Sequence, residues 1–194
     1  MTPLDPIALL LADRARASDL RDPCASLCTL ASVDHAGHPH ARTVVLREVD
    51  RGLAVFSNRT SPKWDQLEQG PSVAVVVWLP TLNLQYRLQC RTRPVPTAIV
   101  HGGWQHRPQA PKRLDWYYTL RQPPGTQVTD RKTLLEHLAA LPLPDPLTPP
   151  DTAGGLFLDP VTVDRLDLAQ ADGIHDRRRF EHLGGGWVEC TLVP

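Results

Sequence analysis

The chain has no excess of either charge: Lys and Arg together number 21, Asp and Glu number 21, and the formal net charge is zero over 194 residues. A general polyanion binder draws its affinity from basic surface that neutralises backbone phosphates, so nucleic acid is not an expected partner. A local anion pocket needs only a few donors and stays open. Apolar runs approaching about 18 residues are lacking, and the first residues show no charged leader followed by an apolar core. The expectation is a cytoplasmic protein with no membrane contact. Cysteine is scarce: Cys24, Cys28, Cys90 and Cys190 are scattered, and no second pair completes a zinc site around the first two. Reduced, mostly buried thiols are expected rather than a disulfide framework. His101 and His106 have no carboxylate or cysteine at ligand spacing, so no metal is expected either. Internal repeats are lacking, as is any second region with its own core, which makes residues 1–194 a single domain.

What is present is the composition of an ordinary soluble protein, 41% hydrophobic and 22% charged. Apolar spacing predicts a first helix over residues 4–18, with Ile7, Leu10, Leu11 and Ala15 on one face and Asp13, Arg14 and Arg16 off it. From Ala25 the texture changes to short strands. Strands are predicted over 26–33, 40–48 and 53–57, with a turn at Asp34–Gly37 in which Gly37 can take positive φ. A short helix over 61–68 is stopped by Gly70-Pro71. Residues 72–79 hold Val73, Val75, Val76, Val77 and Trp78, a pattern that predicts a strand buried on both faces. Residues 84–93 alternate Leu84, Tyr86, Leu88 and Cys90 with Gln85, Arg87, Gln89 and Arg91, which predicts a strand with one polar face.

The stretch from Pro94 to Gly125 mixes aromatic and basic residues, and loops with one helix near 111–120 are expected. A helix over 129–141 has Thr129 as its N-cap and Leu134, Leu135, Leu138 and Leu141 as its apolar stripe. A proline-rich connector spans 142–150. Final strands are predicted at 156–158, 162–168 and 177–193, the last folded into a hairpin at Gly184–Gly186. The class is mainly β with flanking helices (α+β), and strands at this spacing close into a barrel or sandwich.

Chemistry concentrates in one ordered set of residues. Arg42-Thr-Val-Val-Leu-Arg47 is a strand with arginines at both ends. Ser61-Pro62-Lys63 then opens a helix, where free N–H groups and the positive end of the helix dipole favour an anion. Lys63 opposes that dipole unless an anion is bound beside it, and Arg42 can supply a bidentate contact to the same anion.

The order Arg42, Val44, Leu46, Arg47, then Phe56-Ser57-Asn58, then Ser61 and Lys63, then Gln85, resembles the pyridoxamine 5′-phosphate oxidase family. The closing His175-Asp176-Arg177-Arg178-Arg179-Phe180, Trp187 and terminal Pro194 extend the resemblance from about residue 25 to the end. It implies a split β-barrel of the FMN-binding type that dimerises with FMN between subunits. By position, Arg42, Thr43, Val44, Val45, Leu46 and Arg47, with Phe56 and Ser57, line the flavin. Arg42, Ser61 and Lys63 hold its phosphate, Gln85 faces the polar edge of the ring, and Arg177 approaches from the partner chain. Arg47, Tyr117, Arg121 and His175 are the substrate-side candidates, with His175 also the catalytic candidate because imidazole titrates near neutrality.

The substrate side departs from the family's pattern. Gly173 stands two residues before His175, where the family carries an arginine, and no aromatic residue occupies the region of Leu166 and Asp167 where the family has a tryptophan. The expectation is therefore an FMN-dependent oxidoreductase of a divergent branch, acting on an unidentified small substrate that is anionic or heteroaromatic. The alternative is a non-catalytic binder or carrier of FMN or haem with the same fold.

Overall fold

The computed structural model describes residues 4–70 and 72–194. Helix α1 (Pro6–Asp19) starts where the Asp5 carboxylate accepts a hydrogen bond from the Ile7 N–H at 2.8 Å. Its buried face is Pro6, Leu10, Asp13 and Ala17. That corrects the expected apolar face: Ala15 is exposed and Asp13 is inside. The reason is a polar anchor. Tyr86 Oη donates to Asp13 Oδ2 at 2.6 Å, and Arg165 Nε donates to Tyr86 Oη at 3.1 Å, so the carboxylate is paired on burial.

Strands β1 (Leu27–Val33) and β2 (Pro39–Val45) form a hairpin whose turn contains Gly37 at φ 85°. The expected strand over 40–48 is two strands. β2 ends at Val45, and β3 (Arg47–Val49) pairs instead with β4 (Gly52–Asn58). Helix α2 (Pro62–Gln69) follows, and its C-cap is Gly70, where a Cβ would lie 2.5 Å from the Gln66 carbonyl oxygen. Pro71, the other half of the expected stop signal, lies outside the described residues.

Strand β5 (Val73–Leu79) buries Val73, Val75, Val77 and Leu79 but leaves Ala74 and Trp78 exposed, so it is covered on one face in this protomer rather than on both. Strand β6 (Leu84–Pro94) has the expected alternation. The stretch after it holds two helices rather than one, α3 (Thr97–Gln105) and α4 (Gln109–Leu120).

Helix α5 (Arg131–Ala139) begins two residues later than expected. Its N-cap is Asp130, which accepts from the Thr133 N–H at 2.7 Å, and not Thr129. The helix ends at Ala139, short of the expected 141, and none of its residues is buried, so of the expected stripe Leu134, Leu135 and Leu138 rest on the surface and only Leu141, past the helix end, is inside. Strand β7 (Ala153–Asp167) runs through both predicted strands and is followed by the hairpin β8 (Asp176–Leu183) and β9 (Gly186–Leu192). The gap over 159–161 between those two predicted strands is a local irregularity in pairing, where Gln89 faces Thr162 and Cys90 faces Pro160. A bulge accommodates proline and bends the strand without ending it.

These nine strands form one antiparallel sheet, ordered β2-β1-β5-β6-β7-β4-β3, with β8 and β9 continuing from β7. The two ends of that order, β2 and β3, are consecutive in the chain with only Leu46 between them. A single residue cannot cross a flat sheet of seven strands, so the sheet must curl until its edges meet. Leu46 is buried at that seam, its N–H donating to the Ser26 carbonyl at 2.9 Å. Arg14 closes the seam from α1, donating to the carbonyls of Ala25 and Leu46, both at 2.9 Å. The barrel interior is the main core, with Leu30, Val75, Val77, Tyr86, Leu88 and Phe180. A smaller core of Ala54, Val95, Val100, Trp104, Ala153 and Phe157 lies under α3. All four cysteines are free: Cys28 and Cys90 are buried, Cys24 is half-buried and Cys190 is exposed.

Candidate cofactor and substrate site

A cavity of about 550 Å³ opens where the seam, α2 and the α3–α4 segment meet. That is within the range of small-molecule and cofactor sites. One side is strand: Val44 and Val45 from β2, Arg47, Glu48 and Val49 from β3, Phe56 and Ser57 from β4, and Ala153 and Gly154 from β7. Lys63 enters from α2. The opposite wall is Ile99, Val100, Gly103 and Trp104 of α3, then His106, Arg107, Pro108 and Asp115.

Two glycines on β7 make the strand side possible. Phe56 lies directly across from Gly155, where a Cβ would come within 2.8 Å of the ring. A Cβ on Gly154 would sit 2.6 Å from the Trp64 ring, so this position has room only for hydrogen. Asn58 ends β4 and serves the scaffold. Its Nδ2 donates to the Asp115 carbonyl at 3.3 Å and to Thr152 Oγ1 at 3.0 Å, tying α4 to the sheet.

Lys63, Arg47 and Arg107 line the cavity, Arg42 does not, and these four cations fall into two kinds. Lys63 Nζ donates to Ser61 Oγ at 3.0 Å. Among the described residues, no carboxylate lies within 4 Å of the charged groups of Lys63, Arg42 or Arg47. Arg42 donates to Ser32 Oγ at 2.6 Å and to Gln66 Oε1 at 2.9 Å, all neutral partners. Burial lowers the Lys63 pKa, the nearby charge of Arg42 lowers it further, and Asp115 pulls it back only in part. Two cations that disfavour each other, with neutral partners only, form a donor set suited to a phosphate dianion. The residues present therefore fit the anionic end of FMN.

Arg107 is of the other kind. Its Nη1 donates to Asp115 Oδ2, which also accepts from Trp104 Nε1 at 2.8 Å. Asp115 is 4% exposed. Burial pushes its carboxyl up, and Arg107 and Trp104 offset that incompletely, so the net shift is upward.

Of the residues named from sequence, the structure gathers Val44, Val45, Arg47, Phe56, Ser57 and Lys63 around the one cavity. Ser61 is buried beneath Lys63, and Leu46 belongs to the barrel core. Thr43 is exposed on the edge strand, and Arg42 points toward Ser32 and Gln66. Gln85 is half-buried on β6, while Arg177 bonds Asp164 on β8, its Nη2 to Oδ2 distance being 3.1 Å. Tyr117 is buried with its hydroxyl toward Gln122, and Arg121 and His175 are exposed; none of these three lines the cavity. The wall residues Trp104, His106, Arg107 and Asp115 were missed by sequence reasoning. The prolines that precede both helix starts, Pro96 and Pro108, were the available signal for two helices there. Among the described residues, no three His, Cys, Asp or Glu side chains group as a metal site, and no helix is long and apolar enough to cross a membrane.

Residues 22–133 match the family model for pyridoxamine 5′-phosphate oxidase. A pyridoxine/pyridoxamine 5′-phosphate oxidase of Azotobacter vinelandii is 34% identical over 173 residues, covering 86% of this chain and 77% of that protein. One from Ectopseudomonas mendocina is 31% identical over 201 residues, covering 99% and 90%. Among solved structures, PhzG from Burkholderia lata, in complex with tetrahydrophenazine-1-carboxylic acid, superposes with a TM-score of 0.83 at 23% identity, covering 99% of this chain and 94% of that one. A pyridoxamine 5′-phosphate oxidase-related, FMN-binding protein from Nostoc punctiforme superposes at 0.79 with 22% identity, covering 98% of each chain. The curled sheet with its five helices is thus the split barrel of these proteins.

Proposed function

The chain belongs to the pyridoxamine 5′-phosphate oxidase family, and from that premise we propose that it is an FMN-dependent oxidoreductase acting on a small anionic or heteroaromatic substrate. The observation that carries the reading is the pairing of a cavity of about 550 Å³ with cations that lack carboxylate partners at one end. FMN, when bound, supplies a two-electron acceptor. Lys63 and Arg42, with Ser61, anchor its phosphate, and Arg42 turns from its neutral partners to do so. Val44, Val45, Phe56 and Ser57 pack the flat ring, with Thr43 and Leu46 contributing backbone. Excluding water from this wall strengthens every charge contact inside it.

Arg47 and Arg107 face the substrate half. Gln85, His175 and Arg177 lie outside this protomer's cavity, so their part in the site requires a second copy of the chain. We therefore propose a homodimer, each protomer acting as one domain, with FMN between subunits and a cytoplasmic setting. The exposed Val45 and Trp78 on the outer barrel face support such an interface.

The visible absorption spectrum of the purified protein, with mass analysis of what heat releases, tests the cofactor. A colourless protein that takes up no added FMN rejects the reading. A non-catalytic carrier of FMN or haem is the second reading, favoured by the exposed position of His175 away from the cavity. Substrate-driven loss of flavin colour without oxygen separates the two: an oxidoreductase shows it with some small molecule, and a carrier with none.

A further inference from the structure

The wall of the cavity presents an arginine that is already occupied. Arg107 is the wall's one arginine, and its guanidinium is held by the buried Asp115 carboxylate, itself oriented by Trp104 Nε1 at 2.8 Å. Taking Arg107 away from this partner leaves a carboxylate charge uncompensated in a buried place, which is strongly unfavourable. The upward shift of the Asp115 carboxyl agrees with that cost. If Lys63 and Arg42 serve the cofactor phosphate, Arg47 is the one arginine without a carboxylate partner among the described residues that this protomer's own cavity lining offers a substrate. One arginine makes one bidentate contact, and a phosphate dianion, with twice the charge of a carboxylate, gains more from a second cation than a monoanion does.

We propose that Asp115 is a specificity-determining residue: by pairing with Arg107 it withholds that cation and selects a substrate without a phosphate group. This rests on the oxidoreductase reading for the cofactor's place, and it sets the chain apart from its relatives, whose names specify phosphate esters. Asp115 acts through Arg107 rather than on reacting atoms. Asparagine at this position keeps a carbonyl oxygen for both Trp104 and Arg107 while removing the charge.

The test is a pair of dissociation constants, for pyridoxamine 5′-phosphate and for pyridoxamine, measured without oxygen by calorimetry on the FMN-loaded protein. The native protein binds the phosphate form no more than about threefold tighter than the phosphate-free form. In Asp115→Asn the phosphate form gains about tenfold or more and the phosphate-free form stays within about threefold, the gain expected of a freed charged hydrogen bond. Adding Arg107→Gln to that variant abolishes the gain. A native preference of tenfold or more for the phosphate form overturns the proposal and needs no variant. Equal effects of Asp115→Asn on both ligands also overturn it, since a merely structural role moves both alike. Failure of the cofactor assignment shows separately, as a protein that retains no flavin, and failure of the oxidoreductase reading shows as a bound flavin that no small molecule bleaches without oxygen. If no flavin is retained, the same two titrations on the Arg42→Ala, Lys63→Ala double variant, which lacks both cations of the cofactor end, read the wall alone.

Discussion

Two buried aspartates in this molecule have nearly the same chemistry and opposite surroundings. Asp13 accepts from Tyr86 Oη at 2.6 Å and lies 3.6 Å from Arg165 Nε; Asp115 accepts from Trp104 Nε1 at 2.8 Å and from Arg107. Each is a carboxylate, an aromatic donor and an arginine. Arg165 is enclosed, with Asp167 as a second carboxylate 3.5 Å away, and α1 covers the cluster. The Arg107 side chain is 36% exposed and faces a cavity. The same trio is a fastener where it is mostly covered by protein and a candidate recognition element where its arginine meets open space. Burial and pairing alone do not mark a functional group; the unpaired face does.

The contrast breaks most visibly through stability. Asp13→Ala leaves the enclosed Tyr86 phenol without its acceptor and takes from Arg165 one of its two carboxylates, and about 3 kcal/mol of unfolding free energy should be lost in urea titrations. Asp115→Ala should cost only about 1–2 kcal/mol, because Arg107 can turn to water in the cavity. Equal losses would erase the distinction between fastener and site.

Lys63→Ala sharpens the comparison from the binding side. It should weaken FMN by roughly tenfold to a hundredfold, the value of charged hydrogen bonds of about 1.5–3 kcal/mol, as read by flavin fluorescence during dialysis. The urea midpoint of the flavin-free protein should hardly move. Tyr86→Phe is a smaller perturbation, about 1 kcal/mol in stability with FMN affinity unaltered. A change in flavin retention would mean that the sealed cluster communicates with the cavity.

The smallest effects are in pH dependence, and their signs differ. Burial alone would raise the Asp164 pKa, but Arg179 and Arg177 more than offset it and hold it below the ordinary value. A depressed carboxylate contributes stability above the unfolded value of about 3.9 and loses it as pH falls through the folded value. The advantage of Asp164 over Asn should therefore be larger near about pH 7 than near about pH 3. Asp115 is shifted upward, so its folded form favours the proton. Its advantage over Asn should be present below about pH 3.9 and fall as pH rises through its folded value. Urea midpoints of both Asn variants at the two pH values check the opposite slopes.

Much of the strand side of the site was legible because its signals are local. Alternation over residues 84–93, the turn at Gly37 and the helix opening at Pro62 each depend on neighbours within a few positions. The predicted strand over 40–48 failed at Leu46 because the chain there changes sheet edge without any change in composition. The predicted stripe of the α5 region is buried only at Leu141, past the helix end, because nothing packs deeply over Leu134, Leu135 and Leu138. Asp13 was placed off the apolar face because its partners lie 73 and 152 residues away, and neither distance leaves a trace in local periodicity.

Residue order alone carries the β-rich class with flanking helices, the anion-suited helix start after an arginine-flanked strand, and the family that this order resembles. Those properties follow from φ/ψ preference, hydrophobic period and capping, all of which act over a few residues. Which cations have a carboxylate partner among the described residues and which do not depends on packing. Arg42, Lys63 and Arg107 read alike as positive side chains, and what separates them is that Asp115 folds back onto Arg107 alone, eight residues along the chain, across the turn between α3 and α4. Coulomb attraction depends on distance in space and on the loss of water between the partners, and neither exists until the helices are packed.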